Sequence, residues 1–207
     1  MIRILLIRHG HVEGIKPGRF RGRADVPLTD RGVSEAAAVA GRIASAWRPI
    51  KVYTSPMKRC IDTGGAIAKA CQVDAEILDD LNDIDYGAWQ WKSYEEIQRA
   101  EPQRFAIWFA RPPFMRFPDG ESFQELVARS ADALRRVVGR HSDDTVVLVA
   151  HESVNRALLL QLLDQPLSAY WRLSQEPCCI NEICIAGGEV HVVRINETAH
   201  LSGIAGD

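Results

Sequence analysis

Ile4-Leu5-Leu6-Ile7-Arg8-His9-Gly10-His11 is the stretch that decides the fold. An apolar run short enough for one buried strand stops abruptly at an arginine, a histidine and a glycine. A parallel strand covered on both faces reads as a continuous apolar run. The carboxyl end of such a strand is where an open α/β sheet puts its binding crevice. The sequence therefore predicts that Arg8 and His9 are delivered to the mouth of a sheet, with Gly10 letting the backbone turn away.

Beyond this strand the pattern repeats. Residues 11–29 hold Gly14, Pro17, Gly18, Gly22 and Pro27 and read as a long loop beside the strand end, a common place for function. Thr29-Asp30-Arg31-Gly32 opens a helix to about Trp47, with Ala36, Val39, Ala40 and Ile43 on one face. Ile50 to Thr54 is a second strand, and Ser55-Pro56 reads as the start of a helix running to about Ala70, with Arg59 near its beginning. Ala75 to Leu78 is a third strand, and Leu81 to Trp91 is irregular. Residues 92–118 are rich in aromatics, arginines and prolines and predict short helices forming a cap, either an aromatic core of its own or a ligand-contacting lid. Asp119 to Ser122 leads into a helix to about His141. Thr145 to Ala150 is a second strong buried strand, and it too ends in a histidine, His151, before a helix over Ser153 to Leu163. Ile180–Ile185, Gly187-Gly188 and Val190–Ile195 read as a hairpin.

Strands alternating with helices predict a three-layer α/β/α sandwich with a mainly parallel sheet, a C-terminal hairpin and a small helical cap insertion. One domain over residues 1–207 is expected, with the cap at about 91–141. The carboxyl ends of parallel strands share one edge, so Arg8, His9, Arg59 and His151 converge although they are distant in sequence.

Composition limits what such a site serves. The 207 residues are 46% hydrophobic and 25% charged, with a net charge of −2. That suits one sizeable core and lacks the basic footprint of a nucleic-acid binder. No polybasic run suggests a membrane surface, and no apolar stretch is long enough to span a bilayer. Five apolar residues before Arg8 are too few for a signal-peptide core, so a cytoplasmic location is expected. The five cysteines are odd in number and lack C-x-x-C spacing. They read as small buried hydrophobes rather than bridges or zinc ligands.

Two arginines beside two histidines make an anion site. Guanidinium stays charged and binds phosphate oxygens in bidentate fashion, and a helix starting after Ala150 adds backbone donors. A neutral imidazole there can accept a phosphoryl group and split one hard displacement into two easier ones, with the cations stabilising charge on the transferring group. A nearby carboxyl is then required to protonate the leaving oxygen. Each residue also has a plain reading: a histidine at a strand end can be structural, Arg59 a solvated cation, and His9 with His11 a metal pair that lacks a third ligand. Spacing alone leaves phosphate chemistry and an unspecified anion pocket both open.

Arg8-His9-Gly10, in this setting, resembles the signature of the histidine phosphatase superfamily, the phosphoglycerate mutase-like fold. The resemblance extends over nearly the whole sequence. Arg21-Gly22-Arg23-Ala24-Asp25-Val26-Pro27-Leu28-Thr29 is similar to the family's loop into its first helix. Tyr53-Thr54-Ser55-Pro56-Met57-Lys58-Arg59 is similar to its second arginine block, Leu81-Asn82-Asp83-Ile84-Asp85-Tyr86-Gly87 to its acid-bearing segment, and Val149-Ala150-His151 to its second histidine. The resemblance implies His9 as nucleophile, Arg8, Arg59 and His151 as a phosphoryl clamp, Asp83 as general acid and base, and no metal or other cofactor. Arg21, Gly22 and Glu152 are the candidate substrate contacts. Four departures stand out: Asp83 in place of the usual glutamate, Gln90-Trp91 in place of Glu-Gly, Glu152 in place of a common glycine, and Ile15 and Arg21 where mutase-like members carry asparagine and glutamine. Glu152 is expected to repel phosphate if it points inward, or else to cap its helix or pair with Arg156 four residues on.

The expected function is a metal-independent phosphomonoesterase acting on a small phosphorylated metabolite. The alternatives are a cofactor-dependent phosphoglycerate mutase and an inactive phospho-ligand binding module. The expected partner is a small phosphate ester, not nucleic acid or membrane, with a homodimer as the assembly considered. Because His9 must be neutral to attack and two arginines flank it, a mildly acidic to neutral optimum is expected.

Overall fold

The structure, a computed structural model, describes residues 1–204. One six-stranded sheet organises it, in the order β3-β2-β4-β1-β5-β6. The strands are β1 (Ile2–Arg8), β2 (Lys51–Thr54), β3 (Ala75–Ile77), β4 (Thr145–Ala150), β5 (Ile180–Ala186) and β6 (Glu189–Glu197). The first four run parallel, and β5 and β6 add an antiparallel hairpin beyond β1.

Alternation along the two central strands builds two cores. Leu5 and Ile7 of β1 and Val147 and Val149 of β4 face α1 (Asp30–Ala46) and α2 (Lys58–Cys71), where Val39, Ile43 and Ile67 are buried with them. Ile4, Leu6, Val146 and Leu148 face the other way, against α5 (Phe123–Arg140) and α6 (Glu152–Leu162). Both faces of β1 and β4 are thus covered, as their unbroken apolar runs require. At roughly 1.5–3 kcal/mol per fully buried large side chain, these two strands carry a large share of the stability.

The expected sandwich, parallel sheet and hairpin are all present, with one adjustment. Helix α2 begins at Lys58 and not at Ser55-Pro56. Ser55 lies just past β2, its N–H still donating to Val149 O (3.0 Å), and its hydroxyl accepts from Met57 N (3.3 Å) across the bend that precedes the helix, which Met57 caps. The span expected as a cap, about 91–141, holds helices α3 (Tyr94–Ala100) and α4 (Pro102–Ala110), a single 3-10 turn over Pro112–Phe114, and α5. Leu126, Ala133 and Val137 of α5 are buried in the same core as β1 and β4, and so are Ile97 of α3 and Trp108 of α4. Serine-glutamate capping boxes start both α3 (Ser93, Glu96) and α5 (Ser122, Glu125).

The insertion has an aromatic interior: Trp108 is fully buried and contacts Phe117, Phe123 and Tyr170 edge-on or tilted. Four of the five cysteines are buried and all five are free thiols. Among the described residues, no helix is long and apolar enough to cross a membrane.

Candidate active site

The backbone leaves β1 toward β2 by way of α1 and leaves β4 toward β5 by way of α6, and the two helices lie on opposite faces. The carboxyl ends of β1 and β4 therefore flank a crevice at a topological switch point. Their register pairs Arg8 with Ala150, and His9 N donates to Ala150 O (3.0 Å). His9 and His151 thus emerge side by side, their ring centroids 5.2 Å apart. The turn after His9 requires Gly10: a Cβ there would sit 2.6 Å from the Gly32 carbonyl oxygen.

His9 Nδ1 lies 2.7 Å from the Gly10 carbonyl oxygen. A carbonyl only accepts, so the proton sits on Nδ1 and the lone pair on Nε2. Burial, then Arg59, His151 and Arg8, hold the imidazole well below the ordinary histidine range, so it is neutral. Two arginines sit behind it. Arg8 is 4% exposed and Arg59 0%. Arg8 Nη1 donates to Gln175 O, whereas its Nε and Nη2 are buried without a hydrogen-bond partner. Arg59 is held by the carbonyls of Ala24 (2.8 Å) and Gly22 (2.6 Å) and by Asp83 (3.0 Å), and its Nε is likewise unpartnered. Buried donors without acceptors are uncommon in a finished core. Here they lie beside a nucleophilic imidazole, where phosphoryl oxygens would satisfy them.

Asp83 stands on the wall of the same pocket as His9. Its Oδ1 accepts from Ser153 Oγ (2.5 Å) and Ile84 N (2.8 Å), and its Oδ2 pairs with Arg59 and lies 3.5 Å from His151 Nδ1. Asp83 sits in the loop that follows the 3-10 turn Asp79–Leu81. Arg129 donates to the carbonyls of Asp80, Asn82 and Asp83 and pairs with Glu121 (2.6 Å), fixing that loop on α5. His151 is 1% exposed, and its Nε2 is 2.8 Å from Ser55 Oγ. Burial and the surrounding arginines, Arg59 first, hold it neutral as well.

Above this floor the pocket opens between charged and aromatic side chains. Arg19, Arg21, Gly22, Glu152 and Arg156 line it, with Tyr86, Tyr94, Tyr170 and Trp171 as aromatic walls. Glu152 points inward and also pairs with Arg156, so both expected orientations are combined. Its Oε1 is 2.7 Å from Arg156 Nη2 and its Oε2 is 3.3 Å from Arg8 Nη1. Gly22 adopts a left-handed φ of +46° and has no room for a side chain against Ile84 O.

All eight residues singled out in the sequence lie in or directly behind this pocket. Sequence reasoning missed Ser55, Ser153, Arg129, Tyr94, Tyr170 and Trp171. Ser153, two residues beyond His151 at a helix start, was the one with a visible signal. Tyr170 and Trp171 arrive on a 3-10 segment (Leu167–Arg172) between α6 and β5, for which periodicity gives no cue.

Comparison with known proteins matches this geometry. The model of the histidine phosphatase superfamily (branch 1) matches residues 4–198. The protein is 30% identical to phosphoserine phosphatase 1 of Hydrogenobacter thermophilus over 97% of its own length and 95% of the relative's. It is 34% identical to the metal-independent phosphoserine phosphatase of Arabidopsis thaliana over 77% of its own length and 68% of that protein's. The solved structure of Bacillus stearothermophilus YhfR superposes with a TM-score of 0.92 at 26% identity, spanning 98% of this protein and all of that one. With an imidazole, two buried arginines and a carboxylate gathered at the expected strand ends, the protein belongs to branch 1 of the histidine phosphatase superfamily and is a phosphatase.

Proposed function

We propose that this phosphatase is a metal-independent phosphomonoesterase that hydrolyses a small phosphorylated metabolite through a phosphohistidine on His9. The observation that carries the proposal is one juxtaposition. An imidazole whose Nδ1 proton is committed to Gly10 lies beside buried guanidiniums with unpartnered N–H groups.

In the first step the lone pair of His9 Nε2 attacks phosphorus. The ester P–O bond breaks, and the leaving oxygen takes a proton from the Asp83 carboxyl. The positive charge gained by the imidazole is stabilised by the Gly10 carbonyl, which accepts from Nδ1. Arg8 and Arg59 direct donors at the phosphoryl oxygens, where charge builds in the transition state. His151 reaches the same group through Nδ1 when the phosphoryl oxygen displaces Asp83. In the second step Asp83 accepts a proton from water, the water oxygen attacks phosphorus, and the P–N bond breaks to return the electron pair to Nε2. No step requires a metal, in keeping with the name of the Arabidopsis relative.

The inactive-module alternative rests on Asp83 and Glu152. Asp83 shares the pocket wall with His9, where an acid is needed, and this favours turnover. The mutase alternative requires a pocket open to a second anionic group, and Glu152 stands in that space. A cytoplasmic location completes the reading, supported by five free cysteines.

The test is a phosphate-release screen over metabolite monophosphates, phosphoserine included, with a chelator present. Turnover by the native protein and none by His9→Ala is expected. Equal turnover by both would refute the mechanism.

A further inference from the structure

Glu152 is the one acidic group in the pocket that the proposed chemistry does not use, and three arginines converge on it. Its carboxylate is 2.7 Å from Arg156, 3.3 Å from Arg8 and 3.9 Å from Arg21. Arg156 has no freedom to leave it: Nε donates to Leu173 O (2.7 Å), and the guanidinium lies over the rings of Tyr170 and Trp171. A substrate anion that reaches Arg156 must share it with a carboxylate already in place. Burial alone would raise the Glu152 pKa, but Arg8, Arg156 and Arg21 outweigh it and hold the group below the usual carboxylate range. The charge is therefore fixed in the pocket at working pH.

We propose that Glu152 is a specificity-determining residue, an internal counter-anion standing where a second anionic group of the substrate would otherwise pair. It steers the site toward phosphomonoesters whose leaving group is uncharged next to the ester. It disfavours those with a neighbouring carboxylate or second phosphate. The aromatic walls of Tyr94, Tyr170 and Trp171 suit such an uncharged body, which packs on ring faces without an ionic partner. Like charges brought together in a partly desolvated pocket are strongly disfavoured. Glu152 also lies close enough to Arg8 to weaken its hold on free phosphate, which favours product release.

This inference rests on the phosphomonoesterase reading, and its test separates the two. Glycerol phosphate, phosphoglycerate and phosphoethanolamine present an uncharged, an anionic and a cationic leaving group. In the native protein glycerol phosphate should be preferred to phosphoglycerate. Glu152→Gln, close in shape, should shift the ratio of their kcat/KM by about tenfold toward phosphoglycerate, mainly through KM. Glu152→Ala should shift it in the same direction. A ratio unchanged within about twofold would overturn the proposal. So would a loss on phosphoglycerate, which would make Glu152 only a brace for Arg156, or a loss confined to phosphoethanolamine, which would make it an ammonium receptor. Calorimetric binding of inorganic phosphate gives a readout independent of turnover. The Glu152→Gln variant should bind it about tenfold more tightly, and unchanged binding would count against the proposal. Tighter phosphate binding without hydrolysis of any ester would support Glu152's role and refute only the phosphatase mechanism.

Discussion

The imidazole of His9 meets that of His151 edge-on, with ring centroids 5.2 Å apart and planes inclined at 62°. Two imidazoles this close, both buried and both next to Arg59, cannot readily carry charge together. Their mutual neutrality is built into the register of β1 on β4, which sets Arg8 opposite Ala150 and so sets the next residues of each strand side by side.

That neutrality has a consequence for pH. Burial, then Arg59, His151 and Arg8, lower the His9 pKa well below 6.5, so the nucleophile stays unprotonated in mildly acidic solution. Once the ester's own second ionisation at about 6 is divided out, kcat/KM should show no protonation of the enzyme centred at about 6.5. A decline centred on the ordinary histidine value of about 6.5 would show that His9 titrates as though exposed.

The same shift links to stability. The unfolded state protonates both histidines near 6.5, whereas the folded state keeps them neutral to lower pH. The unfolded state therefore binds more protons below that value, and stability falls as pH drops toward the folded pKa values. The slope has a ceiling of about 1.4 kcal/mol per pH unit for each histidine. Urea unfolding at about pH 7, 6 and 5 should show the decline. His151→Ala and His9→Ala should each flatten it, and an unchanged slope in both would contradict the linkage.

Asp83 acts on the leaving group, so its removal should depend on how much help that group needs. Asp83→Asn is expected to lower kcat by about 10²–10⁴-fold on an alkyl phosphate, and by much less on an aryl phosphate whose oxygen leaves without a proton. Steady-state kinetics on both ester types decide it. Equal losses would point to a structural role through Arg59 and Ser153.

Arg129 braces the acid loop from behind. Its bonds to three loop carbonyls and to Glu121 are all lost in Arg129→Ala, which leaves Glu121 without that guanidinium. A loss of about 3–5 kcal/mol is expected, together with a fall in kcat larger than any change in KM. Chemical denaturation and steady-state kinetics measure the two effects. A stability change below about 1 kcal/mol would show that the loop is held by other contacts.

Much of this architecture is legible from residue order. The unbroken apolar runs of β1 and β4 announce strands buried on both faces, and their shared direction places Arg8, His9 and His151 on one edge. Arg59 is readable because its helix follows β2, a strand of the same direction. The boundary at Ser55 misleads because its side chain accepts from Met57 N while its own N–H stays in the sheet, a division that sequence pattern does not reveal. The cap and α5 read as one span because the capping box of that helix, Ser122 with Glu125, follows the aromatic stretch without a break in composition. The orientation of Glu152 is not legible because it depends on Arg8 and Arg21, residues more than a hundred positions away. The aromatic walls from Tyr170 and Trp171 are invisible because no periodic element carries them.

The most direct measurement is rapid-quench mass spectrometry of the enzyme during turnover of a phosphate ester. The expected result is one phosphoryl group on His9, stable to alkali and labile to acid, absent from His9→Ala. Phosphate on another residue, or full turnover by His9→Ala with no phosphoenzyme, would contradict the phosphohistidine mechanism.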